Sequence, residues 1–144
     1  MRAIACLLCL FFAAGAWAAD FRSVGESGAV MYDAPSVKAK KLYVVSRDYP
    51  VEVMVNDGPW VKVRDATGQL AWLEKKALSD RRIVVVTASI AEVRQSPSEQ
   101  AALAFRAQQG VALELAEIGS AGWAKVRLRD GRSGYVRIGQ VWGL

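Results

Sequence analysis

Short runs of alternating apolar and polar residues, separated by turn residues, fill much of the chain. Val51–Val55 and Trp60–Arg64 alternate with period two, and Asn56–Pro59 between them is a strong turn signal. Ala112–Ile118 and Trp123–Arg129 repeat the same arrangement further along. Because period two places successive side chains on opposite faces of a strand, the pattern predicts antiparallel hairpins with one apolar face.

The remaining segments predict further strands. Asp130-Gly131 is a hairpin turn signal that leads into a strand over Gly134–Ile138. Ala101–Gln109 has helical propensity, but its counterpart Ala39–Arg47 contains Tyr43-Val44-Val45, so both predict a strand preceded by a loop. The sequence therefore predicts an all-β fold arranged as a β-meander.

The second half of the chain repeats the first. Trp60–Arg64 recurs as Trp123–Arg127 at an offset of 63 residues, and Val51–Val53 recurs as Leu113–Leu115 at an offset of 62. One inserted residue in the intervening turn reconciles the two offsets. A single duplication indicates two domains rather than a solenoid, and we name them unit one (residues 19–80) and unit two (residues 81–144).

The connection between the units is short. Leu78–Ile83 has no Gly/Ser-rich or Pro-rich character and is followed at once by a predicted strand. We expect it to hold the units in a fixed relation in which they share buried surface, since a domain of about 60 residues buries only about 60% of its chain surface alone.

The first eighteen residues are typical of a cleavable signal peptide. Met1-Arg2 is a basic start, Ala3–Ala14 is almost uninterruptedly apolar, and Ala16-Trp17-Ala18 places small residues where a signal peptidase reads. A membrane anchor is the alternative, but a spanning helix needs about 20 apolar residues. The sequence predicts cleavage after Ala18 and a periplasmic or secreted protein with no membrane anchor after cleavage.

The composition narrows the chemistry. Both cysteines, Cys6 and Cys9, lie in the predicted signal peptide, so the mature form is expected to have no disulfide and no thiolate metal site. The chain has no histidine, the usual general base and a common metal ligand. We therefore expect neither an enzyme nor a protein with a metal or another cofactor.

The order of motifs in unit two resembles that of the bacterial SH3 domains. Val93–Ser98, Gly110–Leu115, Gly122–Val126 and Gly134–Val136 carry the resemblance. Unit one matches less fully, since Met31-Tyr32-Asp33 stands where the family has Val-Arg-x. The resemblance implies two tandem SH3-like small β-barrels and, because members often bind peptidoglycan or its peptides, a cell-wall-binding role in the envelope.

The alternation also indicates which side chains face solvent. In the strand from Trp123, the apolar residues Ala124, Val126 and Leu128 are expected inside, and in the next strand Val136 and Ile138. An aromatic and basic surface is then expected outside. Its predicted members are Trp123, Lys125, Tyr135, Arg127 and Arg137 in unit two, and Trp60, Trp72, Lys62 and Arg64 in unit one.

By resemblance to eukaryotic SH3 domains, where comparable Trp and Tyr residues line the peptide groove, this surface implies a shallow groove for extended peptide. The alternative is that the aromatic residues fill the core or the contact between the units.

Charge is divided unevenly between the units. Residues 19–80 hold nine Lys/Arg and nine Asp/Glu, whereas residues 81–144 hold nine and five. Arginine suits carboxylates and phosphates, so an anionic polymer or peptide is a reasonable partner, although a basic surface also serves solubility. Export and the lack of a long basic run argue against nucleic acid.

The sequence thus predicts an exported, non-catalytic binding module that recognises peptidoglycan or cell-wall peptide through exposed Trp and Arg residues. The alternative partner is an envelope protein, in which case the chain is an adaptor or a structural subunit of an envelope complex.

Overall fold

The structure is a computed structural model that describes residues 18–144. The predicted signal peptide lies outside the described residues except for its last residue, Ala18, and so do Cys6 and Cys9. Within the described residues, regular structure consists of fourteen β-strands and two three-residue 3-10 turns. No helix in this part of the chain is long and apolar enough to cross a membrane.

Unit one forms one antiparallel sheet of seven strands. Its strands are β1 Phe21–Val24, β2 Ala29–Tyr32, β3 Lys41–Val45, β4 Pro50–Asp57, β5 Trp60–Arg64, β6 Leu70–Glu74 and β7 Leu78–Ser79. Their order across the sheet is β3-β2-β6-β5-β4-β1-β7. The predicted meander therefore holds for β4, β5 and β6, while β1 pairs with β4 and β7.

Unit two repeats this topology. Its strands are β8 Ile83–Val86, β9 Ile90–Arg94, β10 Leu103–Gln108, β11 Ala112–Ile118, β12 Trp123–Arg127, β13 Ser133–Arg137 and β14 Val141–Trp142. Their order, β10-β9-β13-β12-β11-β8-β14, is that of the first sheet strand for strand. The 3-10 turns, Lys75–Ala77 and Ile138–Gln140, also occupy matching places.

Each sheet wraps around a core of its own. In unit one the buried cluster joins Met31 of β2, Val45 of β3 and Val51 of β4. A flat seven-stranded sheet would be about 29 Å wide at ~4.8 Å per strand, so edge and central strands share a core only if the sheet curves strongly. The strand pairing remains open, because it starts at β3 and ends at β7 in unit one and likewise at β10 and β14 in unit two.

Irregularities in the ladders also repeat. The register between β4 and β5 shifts at Val53/Val55, and that between β11 and β12 shifts at Leu115/Glu117. These bulges lie at equivalent positions of the duplication. A bulge increases the local twist and bends the strand, so each unit bends its central hairpin at the same place.

The sequence predicted several strands closely. The predicted strands Trp60–Arg64 and Ala112–Ile118 have the same bounds in the structure. The expectation that Ile138 points inward was wrong. Residue 138 begins a 3-10 turn instead of continuing β13, and its side chain is 44% exposed.

Unit one has a buried polar centre. Asp65 is 5% exposed and accepts hydrogen bonds from the Tyr49 hydroxyl at 2.9 Å, the Thr67 hydroxyl at 2.6 Å and the Thr67 and Gln69 amides. Burial alone would raise the pKa of Asp65, but these hydrogen bonds outweigh it and hold the pKa below its usual range. Burial and the bond to Asp65 raise the pKa of Tyr49.

Polar contacts and one aromatic pair join the two units. Arg81 donates to Asp48 at 2.8 Å, Arg129 donates to Asp48 at 3.2 Å, and the Arg81 carbonyl accepts from the Ser23 hydroxyl at 2.7 Å. The rings of Phe21 and Trp142 meet edge to face at 5.1 Å. The two buried clusters nevertheless remain separate, so the contact between the units consists mainly of ion pairs and partly exposed rings.

Candidate functional site

The outer side of the central strands presents the predicted site residues at equivalent positions in the two units. We call Tyr32, Trp60, Lys62, Trp72 and Glu74 the unit-one face. The corresponding unit-two face consists of Arg94, Trp123, Lys125, Tyr135 and Arg137. Strand pairing brings the members of each face together, with Lys62 opposite Trp72 and Lys125 opposite Tyr135.

The unit-one face is an aromatic platform. The rings of Trp60 and Tyr32 meet edge to face with centroids 5.4 Å apart, and Trp72 lies opposite Tyr32 across β2 and β6. Tyr32 is buried, whereas Trp60 and Trp72 are each partly exposed. Buried Tyr32 thus fixes the Trp60 ring from the side, which leaves part of both indoles available for stacking.

A groove of about 420 Å³ adjoins this platform. Its walls include Val30 and Tyr32 of β2, Val44 of β3, and Glu74 and Lys76 around the end of β6. Val44 is 74% exposed although it is apolar. The groove therefore offers an apolar wall, an aromatic edge and one ion pair, between Lys76 and Glu74 at 3.1 Å.

The unit-two face differs because its tryptophan is covered. Trp123 is only 4% exposed, so the prediction that it is available on the solvent side was wrong. Strand alternation does place it on the outer side, opposite Arg137, but the Arg137 guanidinium lies 4.5 Å from the centre of its ring. Glu99 accepts from Arg137 at 2.6 Å and holds that guanidinium in place.

The other predicted unit-two residues are more accessible. Lys125, Tyr135 and Arg137 are partly exposed, and Arg127 is exposed and donates to Glu114 at 3.1 Å. Within the described residues, neither Lys62 nor Lys125 forms an ion pair. These two lysines are therefore free to meet an anionic group.

At the positions that correspond to the unit-one groove, unit two carries interacting charges. Val30, Tyr32 and Val44 are replaced by Glu92, Arg94 and Arg106. Glu92 accepts from Arg94 and pairs with Arg106 at 3.6 Å. The unit-two face is thus ionic where the unit-one face is apolar and aromatic.

In the part of the chain that the structure describes, no group of three Cys, Asp or Glu side chains converges as a metal site would require. The charged residues of both faces instead meet opposite charges or solvent. Their arrangement suits recognition of a ligand by stacking and ion pairing.

The sequence did not single out Tyr32 and Glu74 as site residues. The duplication contained a usable signal, since Tyr32 stands opposite Arg94 and Glu74 opposite Arg137 in the two repeats. Positions that change character between otherwise similar repeats are candidates for divergent surface chemistry.

Two solved structures of low sequence identity can be superposed on most of this chain. NlpC1 from Trichomonas vaginalis is 16% identical, covering 86% of this chain and 45% of NlpC1, with a TM-score of 0.40. An NlpC/P60 family protein from Bacillus cereus ATCC 10987 is 17% identical, covering 85% of this chain and 56% of that protein, with a TM-score of 0.36. The chain spans about half the length of these proteins. No curated protein sequence matches it.

The family comparison covers most of the described residues. The sequence model of the family described as bacterial SH3 domain matches residues 25–80 and again residues 87–143. Each match covers six of the seven strands of one sheet, β2–β7 in unit one and β9–β14 in unit two. The chain therefore belongs to the bacterial SH3 domain family and carries two copies of that domain.

Proposed function

We propose that this protein is an exported, non-catalytic module that binds peptidoglycan or cell-wall peptide, with the unit-one face as its main contact surface. Residues 19–80 and 81–144 act as its two domains. Members of the bacterial SH3 family are binding modules, and wall peptide is a ligand class that the family resemblance implies. The observation that carries the proposal is the pair of partly exposed indoles, Trp60 and Trp72, beside the groove.

The shape of the unit-one face suits an extended peptide. Partly exposed indoles offer rigid flat surface at low entropic cost, and the neighbouring apolar wall at Val44 accommodates a small side chain. Lys62 supplies a positive charge that is unpaired within the described residues, and the ion pair of Lys76 with Glu74 at 3.1 Å presents one charge of each sign beside it. Stem peptides of the wall combine short apolar side chains with carboxylates and amines, so this chemistry is complementary to them.

Unit two contributes charge to the same ligand or polymer. Lys125, Arg127 and Arg137 line its outer side, and Tyr135 lies between them. Trp123 supports the position of Arg137 from below. In this proposal the unit-two face attracts an anionic wall polymer, while the unit-one face makes the stacking contacts.

The test is co-sedimentation of the protein with purified sacculi. Trp72→Ala removes a partly exposed ring and should weaken binding about thirtyfold, equivalent to about 2 kcal/mol for a central aromatic contact. Tyr135→Ala changes the equivalent position of unit two and should leave binding within about threefold of the wild type.

Two outcomes would contradict the proposal. If the wild-type protein stays in the supernatant at low salt, the wall is not its ligand. If Trp72→Ala binds as well as the wild type while Tyr135→Ala loses binding, the contact surface belongs to unit two. Thermal unfolding of each variant checks that both remain folded.

A protein partner is the second candidate, and exposed apolar side chains favour it. Leu42 and Leu70 are 40% and 49% exposed and line a shallow pocket together with Tyr43 and Gln69. An adaptor or structural subunit of an envelope complex would cover such a patch. Leu70→Lys should then abolish complex formation without affecting sedimentation with sacculi.

Export is tested separately. The proposal places cleavage after Ala18, so the mature protein begins at Ala19 and is periplasmic or secreted. Mass spectrometry of the protein from cell fractions should find this N-terminus outside the cytoplasm. An intact N-terminus starting at Met1 in the cytoplasmic fraction would overturn the assignment.

A further inference from the structure

A cleft of about 570 Å³ lies between the two units, away from the unit-one face platform. Unit one contributes Val44–Pro50, and unit two contributes Val85–Thr87, Gly110 and Ala112. Clefts of this size at the contact between domains, with mostly apolar walls and a few polar groups, are the usual form of a ligand site. Val44 and Ala112 are exposed in it, and both are too short to fill it.

The cleft continues into a recess of about 190 Å³, and Arg47, Asp48 and Ala112 line both. The recess is also lined by Arg81, Glu114, Arg127 and Arg129. An apolar cleft therefore ends in a group of arginines. The ligand that fits it has an apolar part and an anionic end.

The ion pairs of the recess leave one positive charge uncompensated. Arg47 pairs with Glu26 at 2.8 Å and also lies 3.7 Å from Asp48. The other three arginines share two carboxylates: Asp48 lies 2.8 Å from Arg81 and 3.2 Å from Arg129, and Glu114 lies 3.2 Å from Arg81 and 3.1 Å from Arg127. An excess of one positive charge matches a single carboxylate.

Glu114 stays ionised and keeps Arg81 and Arg127 in place. Burial alone would raise the pKa of Glu114, but hydrogen bonds from Arg127 and Arg81 outweigh it and lower the pKa. The side chains of Arg127 and Arg129 remain 49% and 73% exposed. These two guanidiniums are therefore oriented by an internal carboxylate and still have donors that an incoming carboxylate can use.

Asp48 sets the geometry of the recess through its backbone. Its φ is +66°, a conformation that L residues rarely adopt, and the equivalent residue of unit two is Gly110 with φ +88°. Unit one thus has an aspartate where the same turn in unit two has glycine. The aspartate places a carboxylate between Arg81 and Arg129, so it is a positioning residue for the recess.

We propose that this cleft is a second ligand site, which takes a short peptide that ends in a free carboxylate beside a small apolar side chain. Arg127 and Arg129 hold the carboxylate, and Val44, Val85 and Ala112 contact the side chain. The cleft shares Val44 with the groove beside the unit-one face, but neither Trp60 nor Trp72 lines it. It extends the proposed function to free peptide ends and stands if binding to sacculi fails.

The experiment is an NMR titration of the protein with the dipeptide Ala-Ala and with its C-terminal amide. The dipeptide should shift the amide signals of Val85, Gly110 and Ala112 saturably, and the amide derivative should bind about tenfold more weakly because it lacks the carboxylate. Sodium chloride at the same ionic strength controls for salt effects.

Arginine variants locate the carboxylate. Arg127→Gln and Arg129→Gln should each weaken dipeptide binding about fivefold to tenfold. Arg106→Gln is the matched control, because Arg106 is an exposed arginine of the same unit that lies outside the cleft. It should bind like the wild type.

Three results would overturn the assignment. Absence of saturable shifts at the cleft amides removes the site, and equal binding of dipeptide and amide removes the carboxylate contact. Shifts confined to Trp60 and Trp72 would place the peptide on the unit-one face instead, and that outcome supports the proposed function while contradicting this inference.

Discussion

Residue 65 in unit one and residue 128 in unit two occupy the same place in the duplicated fold, yet one is Asp65 and the other Leu128. Asp65 is buried and accepts a hydrogen bond from Tyr49, whose equivalent in unit two is Val111. Val111 and Leu128 instead pack against the apolar core of unit two. The same backbone thus holds a hydrogen-bonded polar pair in one unit and an apolar pair in the other.

The neighbouring turn differs in the residue that accepts its amide hydrogen bond. In unit one Asp65 also accepts from the Gln69 amide, at 3.1 Å. In unit two the equivalent amide, that of Arg132, donates to Asp130 at 3.0 Å. Asp130 stands where unit one has Thr67. The comparison teaches that three positions change together, because a buried acceptor can be removed only if another satisfies the turn.

The outer faces show the same divergence. Tyr32 and Glu74 of the unit-one face correspond to Arg94 and Arg137 of the unit-two face, while a tryptophan and a lysine stay the same in both. Arg137 covers Trp123, whereas Glu74, its counterpart, pairs with Lys76, and Trp60 stays partly exposed. One substitution beside a shared tryptophan therefore separates an open aromatic platform from a covered one.

The largest expected effect comes from breaking the polar pair. Asp65→Leu alone leaves the Tyr49 hydroxyl and two turn amides without their acceptor, and should lower the free energy of unfolding by about 3–4 kcal/mol. The triple change Tyr49→Val, Asp65→Leu and Thr67→Asp transplants the unit-two solution. It should restore stability to within about 1.5 kcal/mol of the wild type. Urea unfolding measures both; equal losses in the single and triple variants would show that the three positions are not coupled.

A second effect concerns the close approach of β13 to β9. A Cβ at Gly134 would lie 2.6 Å from the Arg94 carbonyl oxygen and 2.7 Å from Val93 Cγ1, so Gly134→Ala should destabilise the protein by about 2–3 kcal/mol. The equivalent residue of unit one is already Ala71. Ala71→Gly should cost only about 1 kcal/mol. Thermal unfolding compares the two variants. A larger loss of stability for Ala71→Gly than for Gly134→Ala would contradict the close approach of β13 to β9.

The turn between β3 and β4 gives a smaller effect. Asp48→Ala puts a residue that disfavours positive φ at this position and loses the contacts with Arg47, Arg81 and Arg129, so it should cost about 1–2 kcal/mol. Asp48→Asn loses the charge but tolerates this backbone, and should cost less than about 1 kcal/mol. The matched change in unit two, Gly110→Ala, should cost about 1 kcal/mol. Equal losses of stability for Asp48→Ala and Asp48→Asn would show that the positive φ of residue 48 contributes nothing to the difference between them.

The smallest effect is the pH dependence of unit one. The pKa of Asp65 is lowered in the folded protein, so its ionised form contributes stability above the unfolded pKa, near 3.9, and that contribution is lost as pH falls through the folded pKa. The pKa of Tyr49 is raised, so its contribution is complete below about pH 10 and is lost as pH rises further. In the triple variant, the free energy of unfolding should depend less on pH in both the acidic and the alkaline range. An unchanged pH dependence would assign it to other groups.

The sequence predicted the strands well because their pattern is local. Trp60–Arg64 and Ala112–Ile118 were read from alternation and turn residues alone. The order of strands was less accessible, since β1 pairs with β4 and β7 through contacts between distant segments. The position of each 3-10 turn was also hard to predict, because it depends on how the last strand of the unit pairs with the sheet. In unit two this turn places Ile138 on the outside.

The candidate site was predicted in part. Alternation placed Trp123 on the correct side of its strand, but its burial depends on Arg137 and Glu99, and alternation contains no information on such cover. The cleft between the units was not anticipated. The sequence held one signal for it, because the repeat comparison sets Asp48 against Gly110 in a turn that requires positive φ.

The most direct test of the account is an NMR titration that follows the indole N–H signals with soluble peptidoglycan fragments. If the unit-one face makes the stacking contacts, the signals of Trp60 and Trp72 shift saturably, while those of Trp123 under Arg137 and Trp142 against Phe21 stay in place. A saturable shift of Trp123 with Trp60 and Trp72 unmoved would contradict the account, because it would assign binding to the covered face of unit two.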